Sequence, residues 1–138
     1  LAERLRYVYV LCGDWSRAMT PGVLTKARNA PIGVFLDPPY GHQERLDSLY
    51  AQDDADVVAR VREWCIEHGD WPNMRIVLAG MEGEHEELER LGWSCVRYTI
   101  RGGYAAQRKS GTNDSRYKHR LWLSPHCVGQ RQMIEVEA

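Results

Sequence analysis

The chain has 138 residues, enough for a real hydrophobic core but short for a two-lobed enzyme, so a single domain over 1–138 is expected. Its 43% hydrophobic and 27% charged residues are those of a soluble globular protein, and no apolar run approaches the roughly 20 residues of a membrane-spanning helix, which excludes a membrane partner of that kind. A net charge of -1 gives no overall attraction to nucleic acid, so any basic surface has to be local.

Residues 1 to 6 read as the last turns of a helix. "YVYVLCGDW", from residue 7, follows with the Val, Tyr and Leu content of a buried strand that ends in a loop at Gly13 and Asp14. Thr20 and Pro21 are an N-cap and first helical position for a short helix to about residue 28. "IGVFL" (32–36) is nearly all apolar, as a strand covered on both faces should be. "DDADVVARVREWCIEHG" (53–69) places Val57, Val58, Val61 and Cys65 at helical spacing, with acids at its start and Gly69 past its end. "MRIVLAG" (74–80) is another buried strand, and "EHEELERLG" (84–92) is a short charged helix closed by Gly92. "WSCVRYTI" (93–100) and "HRLWLS" (119–124) are two further strands joined by a long loop.

Strands alternating with helices, then two strands in succession, predict an α/β fold with a mostly parallel sheet. The last two strands should pair antiparallel at one edge. In such open sheets ligands sit beyond the carboxyl ends of the strands, where Asp14, Asp37 and Gly80 fall.

The four cysteines (12, 65, 95 and 127) have no CxxC spacing, and the five histidines (42, 68, 85, 119 and 126) lack metal-type pairing. Reduced thiols of a cytoplasmic protein are expected, and no metal. Glu84, His85 and Glu86 are adjacent, which splays them around a helix rather than converging them on an ion. The run "EGEHEELE" (82–89) accordingly reads as a solvated acidic face.

The strand at 32–36 runs directly into Asp37, Pro38, Pro39 and Tyr40. Proline fixes φ near -65° and has no N–H, so Pro38 and Pro39 end the ladder and stiffen the exit from it. Asp37 then presents a carboxylate beside a backbone carbonyl at the mouth of the sheet. Two convergent acceptors suit one planar amine. An exocyclic amine of a nucleobase is a poor nucleophile, and two acceptors orient it and favour its pyramidal form. Tyr40 offers a flat face for a base taken out of its helix.

At these residues the chain resembles the S-adenosylmethionine-dependent amino methyltransferases, whose hallmark is [D/N/S]-P-P-[Y/F/W]. The DPPY form looks most like the N6-adenine-specific DNA methyltransferases. "VLCGDW", "IVLAGMEGEHEEL", "RGGYAAQ" and "RLWLSPHC" extend the likeness to the C-terminal half of phage-borne adenine methyltransferases. The resemblance implies a partial Rossmann-like methyltransferase fold, a DNA partner, and DNA methylation of the restriction-modification type. It makes Asp37, Pro38, Pro39 and Tyr40 the target-amine site, with the Asp37 carboxylate and the Pro38 carbonyl as acceptors. It also puts Asp14 where related enzymes contact the cofactor's adenine, with Trp15 lining the same pocket; a capping aspartate and a core tryptophan are the plain alternatives.

The family's glycine-rich loop, of the form F-x-G-x-G, is not in this sequence. "GMEG" (80–83) and "GG" (102–103) fall on the wrong strands. The chain is therefore expected to lack the N-terminal cofactor-binding part of the domain, and to depend on a separate chain or segment for that loop.

Between Arg101 and Arg120 lie six cations and one acid, Asp114, among glycines and serines. Arg101, Tyr104, Arg108, Lys109, Arg116 and Lys118 are the candidate nucleic-acid contacts of a basic loop. Three functions follow as expectations. The leading one is N6-adenine methyl transfer on DNA. The others are transfer to an amine of RNA or of another base, and a catalytically silent remnant that binds nucleic acid or a partner.

Overall fold

The computed structural model describes residues 3, 8, 10–24, 31–39, 50–98 and 118–127, and of 50–55 the backbone alone. The chain divides into two compact units, Leu1–Ile32 and Gly33–Ala138.

In the first unit Asp14 caps a 3-10 turn, η1 (Trp15–Arg17). Its carboxylate accepts the Ser16 amide at 3.0 Å and the Ser16 hydroxyl at 2.5 Å. The short helix α1 (Pro21–Leu24) starts at the expected proline, and the Val23 and Leu24 amides both return to the Thr20 carbonyl. The stretch from residue 7 is a correction. Val8, Val10, Leu11 and Cys12 are in no strand, and Val10 is 90% exposed. Apolar alternation supplies a face to bury, but a strand exists only where a second strand takes up its N–H and C=O groups.

The second unit is built on four strands, β1 (Ile32–Leu36), β2 (Met74–Met81), β3 (Ser94–Arg97) and β4 (His119–Leu123). They lie in the order β1-β2-β4-β3. β4 runs antiparallel to both β2 and β3, and the β3 and β4 pair forms the expected antiparallel edge. β1 and β2 make the parallel part, so the sheet is mixed where the sequence predicts mostly parallel. The reason is the return of β4 between β2 and β3, a neighbour relation that local sequence does not encode.

β2 carries the core. Met74, Ile76 and Leu78 are fully buried, and β4 sets Trp122 opposite Leu78 on the same face, also fully buried. Alternate residues of a strand share a face, so these side chains form one layer. Ser124 locks its far end: Ile76 N–H donates to the Ser124 hydroxyl at 3.0 Å, and Ser124 N–H donates to the Ile76 carbonyl at 2.9 Å.

The long helix α2 (Tyr50–His68) contributes Val58, Val61 and Cys65 to the core at the predicted spacing. It starts three residues before the acids of Asp53 and Asp54. Gly69 follows it closely packed on Trp93. A second 3-10 segment, η2 (Glu86–Leu91), buries Leu88 and ends at Gly92 in the left-handed region, φ 83°. Arg62 of α2 ties the two elements together, donating to the Glu84 carbonyl at 3.0 Å and pairing with Glu87.

Two local expectations are corrected. β1 buries Val34 and Leu36 but leaves Phe35 65% exposed, so it is covered on one face and not on both. The 82–89 stretch is solvated only in part: Glu82, Glu86, Glu87 and Glu89 are exposed, but Glu84 and His85 are buried. The four cysteines are free thiols, and burial pushes Cys65 up to about 12 and Cys95 up to about 11. Among the described residues no helix is long and apolar enough to cross a membrane, and no group of three metal-ligating side chains forms.

Candidate functional site

The pairing brings several loops to one end of the sheet. β1 and β2 are parallel neighbours, so Asp37 leaves β1 at the same end at which Gly80 and Met81 leave β2. The register sets Arg120 beside Gly80 and His119 beside Met81, and on its other side Arg120 faces Arg97. The amino end of β4 and the carboxyl end of β3 therefore reach that end too. It is the position at which open α/β sheets hold ligands.

β1 ends at Leu36, and Asp37, Pro38 and Pro39 are outside the ladder, as two prolines require. Asp37 is exposed, and makes no hydrogen bond or ion pair among the described residues. Its carboxylate is therefore available to a ligand. Tyr40 lies outside the described residues.

Beside this exit the β2–η2 corner is dense with polar groups. Glu84 turns back so that its carboxylate accepts the Met81 amide at 2.6 Å, while its own amide donates to the Met81 carbonyl at 3.1 Å. Glu82 pairs with the guanidinium of Arg120, and its amide donates to the Lys118 carbonyl at 2.8 Å. Arg120 is 5% exposed. It belongs to the six cations of the basic segment by sequence, yet it is a buried charge of the sheet end, paired with Glu82. Tyr98 and His119 hold their rings 5.5 Å apart across β3 and β4.

Of the candidate nucleic-acid contacts, Lys118 is exposed at the start of β4, whereas Arg101, Tyr104, Arg108, Lys109 and Arg116 lie outside the described residues. Asp14 and Trp15 belong to the first unit, where Asp14 is a cap and Trp15 is half-buried. The described residues do not fit S-adenosylmethionine. The Asp14 carboxylate is engaged with Ser16, and the positive-φ glycines are Gly13, against the Arg17 side chain, Gly83 in a surface turn, and Gly92 at the end of η2. Among the described residues none of these glycines belongs to a glycine-rich turn of the family's form.

Sequence reasoning missed His85, which is 1% exposed in this corner with its ring edge-on to Trp122 at 5.0 Å. The signal was Gly80. A glycine near the end of a strand marks a close approach by another group.

No protein-family model matches the chain, and no curated protein matches it.

Proposed function

We propose that this chain carries the target-amine half of an S-adenosylmethionine-dependent DNA adenine N6-methyltransferase. The observation that supports the reading is the exit of β1: an exposed carboxylate, Asp37, on a two-proline support, at the end of the sheet where β2, β3 and β4 also present their loops. In this reading the Asp37 carboxylate and the Pro38 carbonyl each accept one N–H of a flipped adenine amine. The amine lone pair is thereby drawn out of conjugation and aimed away from the ring plane. Tyr40 stacks on the base, and Lys118 with the rest of the basic segment holds the phosphate backbone. The cofactor, when bound, supplies the electrophilic methyl group. In this reading the reaction takes place in the cytoplasm, where thiols stay reduced.

The family's glycine-rich loop is not in these 138 residues, so cofactor affinity in this reading depends on a separate segment or chain that supplies it. Calorimetric titration of S-adenosylmethionine into the 138 residues is expected to give no saturable heat at micromolar concentration. Adding the segment that bears the loop is expected to restore binding and to produce N6-methyladenine in duplex DNA, read by mass spectrometry. Transfer to RNA, cytosine or guanine would keep the amine chemistry and change the substrate. Nucleic-acid binding without transfer would make the chain a binding module.

A further inference from the structure

His85 is held by shape, not by hydrogen bonds. Its ring lies on Gly80, where a Cβ would stand 2.8 Å from Cδ2 and 2.9 Å from Nε2, so any side chain at position 80 would collide with it. The same Cβ would stand 2.9 Å from the Glu84 Oε2 atom. The edge of the ring meets Trp122, and neither ring nitrogen has a hydrogen-bond partner among the described residues. A polar group buried in this way is tolerated while uncharged and strongly disfavoured as an ion.

We propose that His85 is a proton-operated latch: seated on Gly80 against Trp122, it holds the β2–η2 corner shut at the carboxyl end of the sheet, and taking up a proton releases it. The inference is independent of the methyl-transfer reading.

The charged groups around the ring decide which way the latch works. From α2 comes the Arg62 guanidinium, which repels an imidazolium; from η2 comes Glu86, which attracts one. Glu87 is paired with Arg62, and Glu89 accepts the Trp122 indole N–H at 3.3 Å. Glu84 lies beside the ring with one oxygen bound to the Met81 amide. β4 brings the uncharged Trp122 and Arg120, whose charge is paired with Glu82, and β3 brings Cys95 opposite Trp122, a thiol that burial keeps protonated. Burial and then Arg62 outweigh Glu86, and the imidazole is pushed down to about 4. Below the ordinary value of 6.5 an exposed ring takes up a proton that the seated ring refuses, so acid favours the open corner.

The open corner is short and specific. It frees Glu84 from the Met81 amide, Leu88 N–H from the His85 carbonyl, and the loop that holds Glu82 on Arg120.

Native-state amide exchange, corrected for the intrinsic rate, tests this on the full chain. Amides of Met81, Glu84 and Leu88 are expected to lose protection by about twentyfold from pH 7 to pH 5, the ratio set by a ring titrating near 4 when seated and near 6.5 when free. Val61 and Cys65 amides in α2 should not follow. His85→Phe fills the seat without titrating and should give no pH dependence, and Gly80→Ala should raise exchange at both pH values. NMR titration of the His85 ring in the unaltered chain should give a midpoint near 4. A midpoint near 6.5, an unchanged corner between pH 7 and pH 5, a loss of protection shared by α2, or the same pH response in His85→Phe would each overturn the latch.

Discussion

Two aspartates with similar sequence settings do different work. Asp14 and Asp37 each follow an apolar stretch, but Asp14 closes onto Ser16 and caps η1, whereas Asp37 stands just past the end of β1 with no partner among the described residues. The difference lies in the next residues. Trp15 and Ser16 have amides that a carboxylate can bond, and Pro38 and Pro39 have none to offer. The prolines thus deny Asp37 the local bond that an aspartate normally makes, and leave its oxygens for a ligand. In the methyl-transfer reading, Asp37→Ala in the completed enzyme removes one of two acceptors that act chiefly in the transition state. Its kcat is expected to fall about a hundredfold or more, with the dissociation constant for the cofactor little changed. Steady-state kinetics with a calorimetric cofactor titration separate the two; unaltered turnover would place the chemistry elsewhere.

Among elements, β2, α2, η2, β3 and β4 were legible because each carries its own period or punctuation. β2 alternates fully buried Met74, Ile76 and Leu78 with half-buried neighbours, and α2 repeats Val58, Val61 and Cys65. The strand read from residue 7 failed because pairing is not a local property: Val8, Val10 and Leu11 satisfy the pattern and stay exposed. For the same reason the sequence did not disclose that β4 returns between β2 and β3. His85 was hidden by its neighbours, since a histidine among five glutamates looks solvated until Gly80 is seen to make a seat for it. In the candidate site, Asp37 and its prolines were visible from chemistry alone, while the buried pairing of Arg120 with Glu82 required the register of β2 and β4. The junction between α2 and β3 yields a prediction. At Gly69 a Cβ would lie 2.5 Å from Trp93 Cζ2 and 2.7 Å from the Cys65 carbonyl oxygen, and Trp93 is 5% exposed with no room to withdraw. Gly69→Ala is expected to destabilise the chain by about 1–3 kcal/mol, the range for an overpacked core position. A urea midpoint lowered at constant m-value would show it, and an unchanged midpoint would mean that the α2 terminus yields freely.

Over the whole molecule, the charge of -1 conceals a strong asymmetry, with six cations and one acid between Arg101 and Arg120. The fold subtracts from that excess, because Arg120 is buried against Glu82. The two ends of the segment are anchored where β3 stops and β4 starts, at Arg97 and His119, both at the carboxyl end of the sheet that Asp37 also leaves. In the methyl-transfer reading the segment serves the DNA on which Asp37 acts. Within it Arg108 and Lys109 are adjacent and far in sequence from either anchor, and in the methyl-transfer reading they contact phosphates. Replacing both by Ala in the completed enzyme should release about two fewer counterions on binding. The salt dependence of DNA affinity, plotted as logarithm against logarithm, is then expected to become shallower by about two units, and affinity to fall alike for all sequences. Sequence preference should survive, since phosphate contacts position a protein while base contacts specify its site. Fluorescence anisotropy across a salt series on preferred and unrelated duplexes measures both quantities at once. An unaltered slope with a lost preference would show that the segment reads bases, and an unaltered slope with an unaltered preference would remove it from the interface.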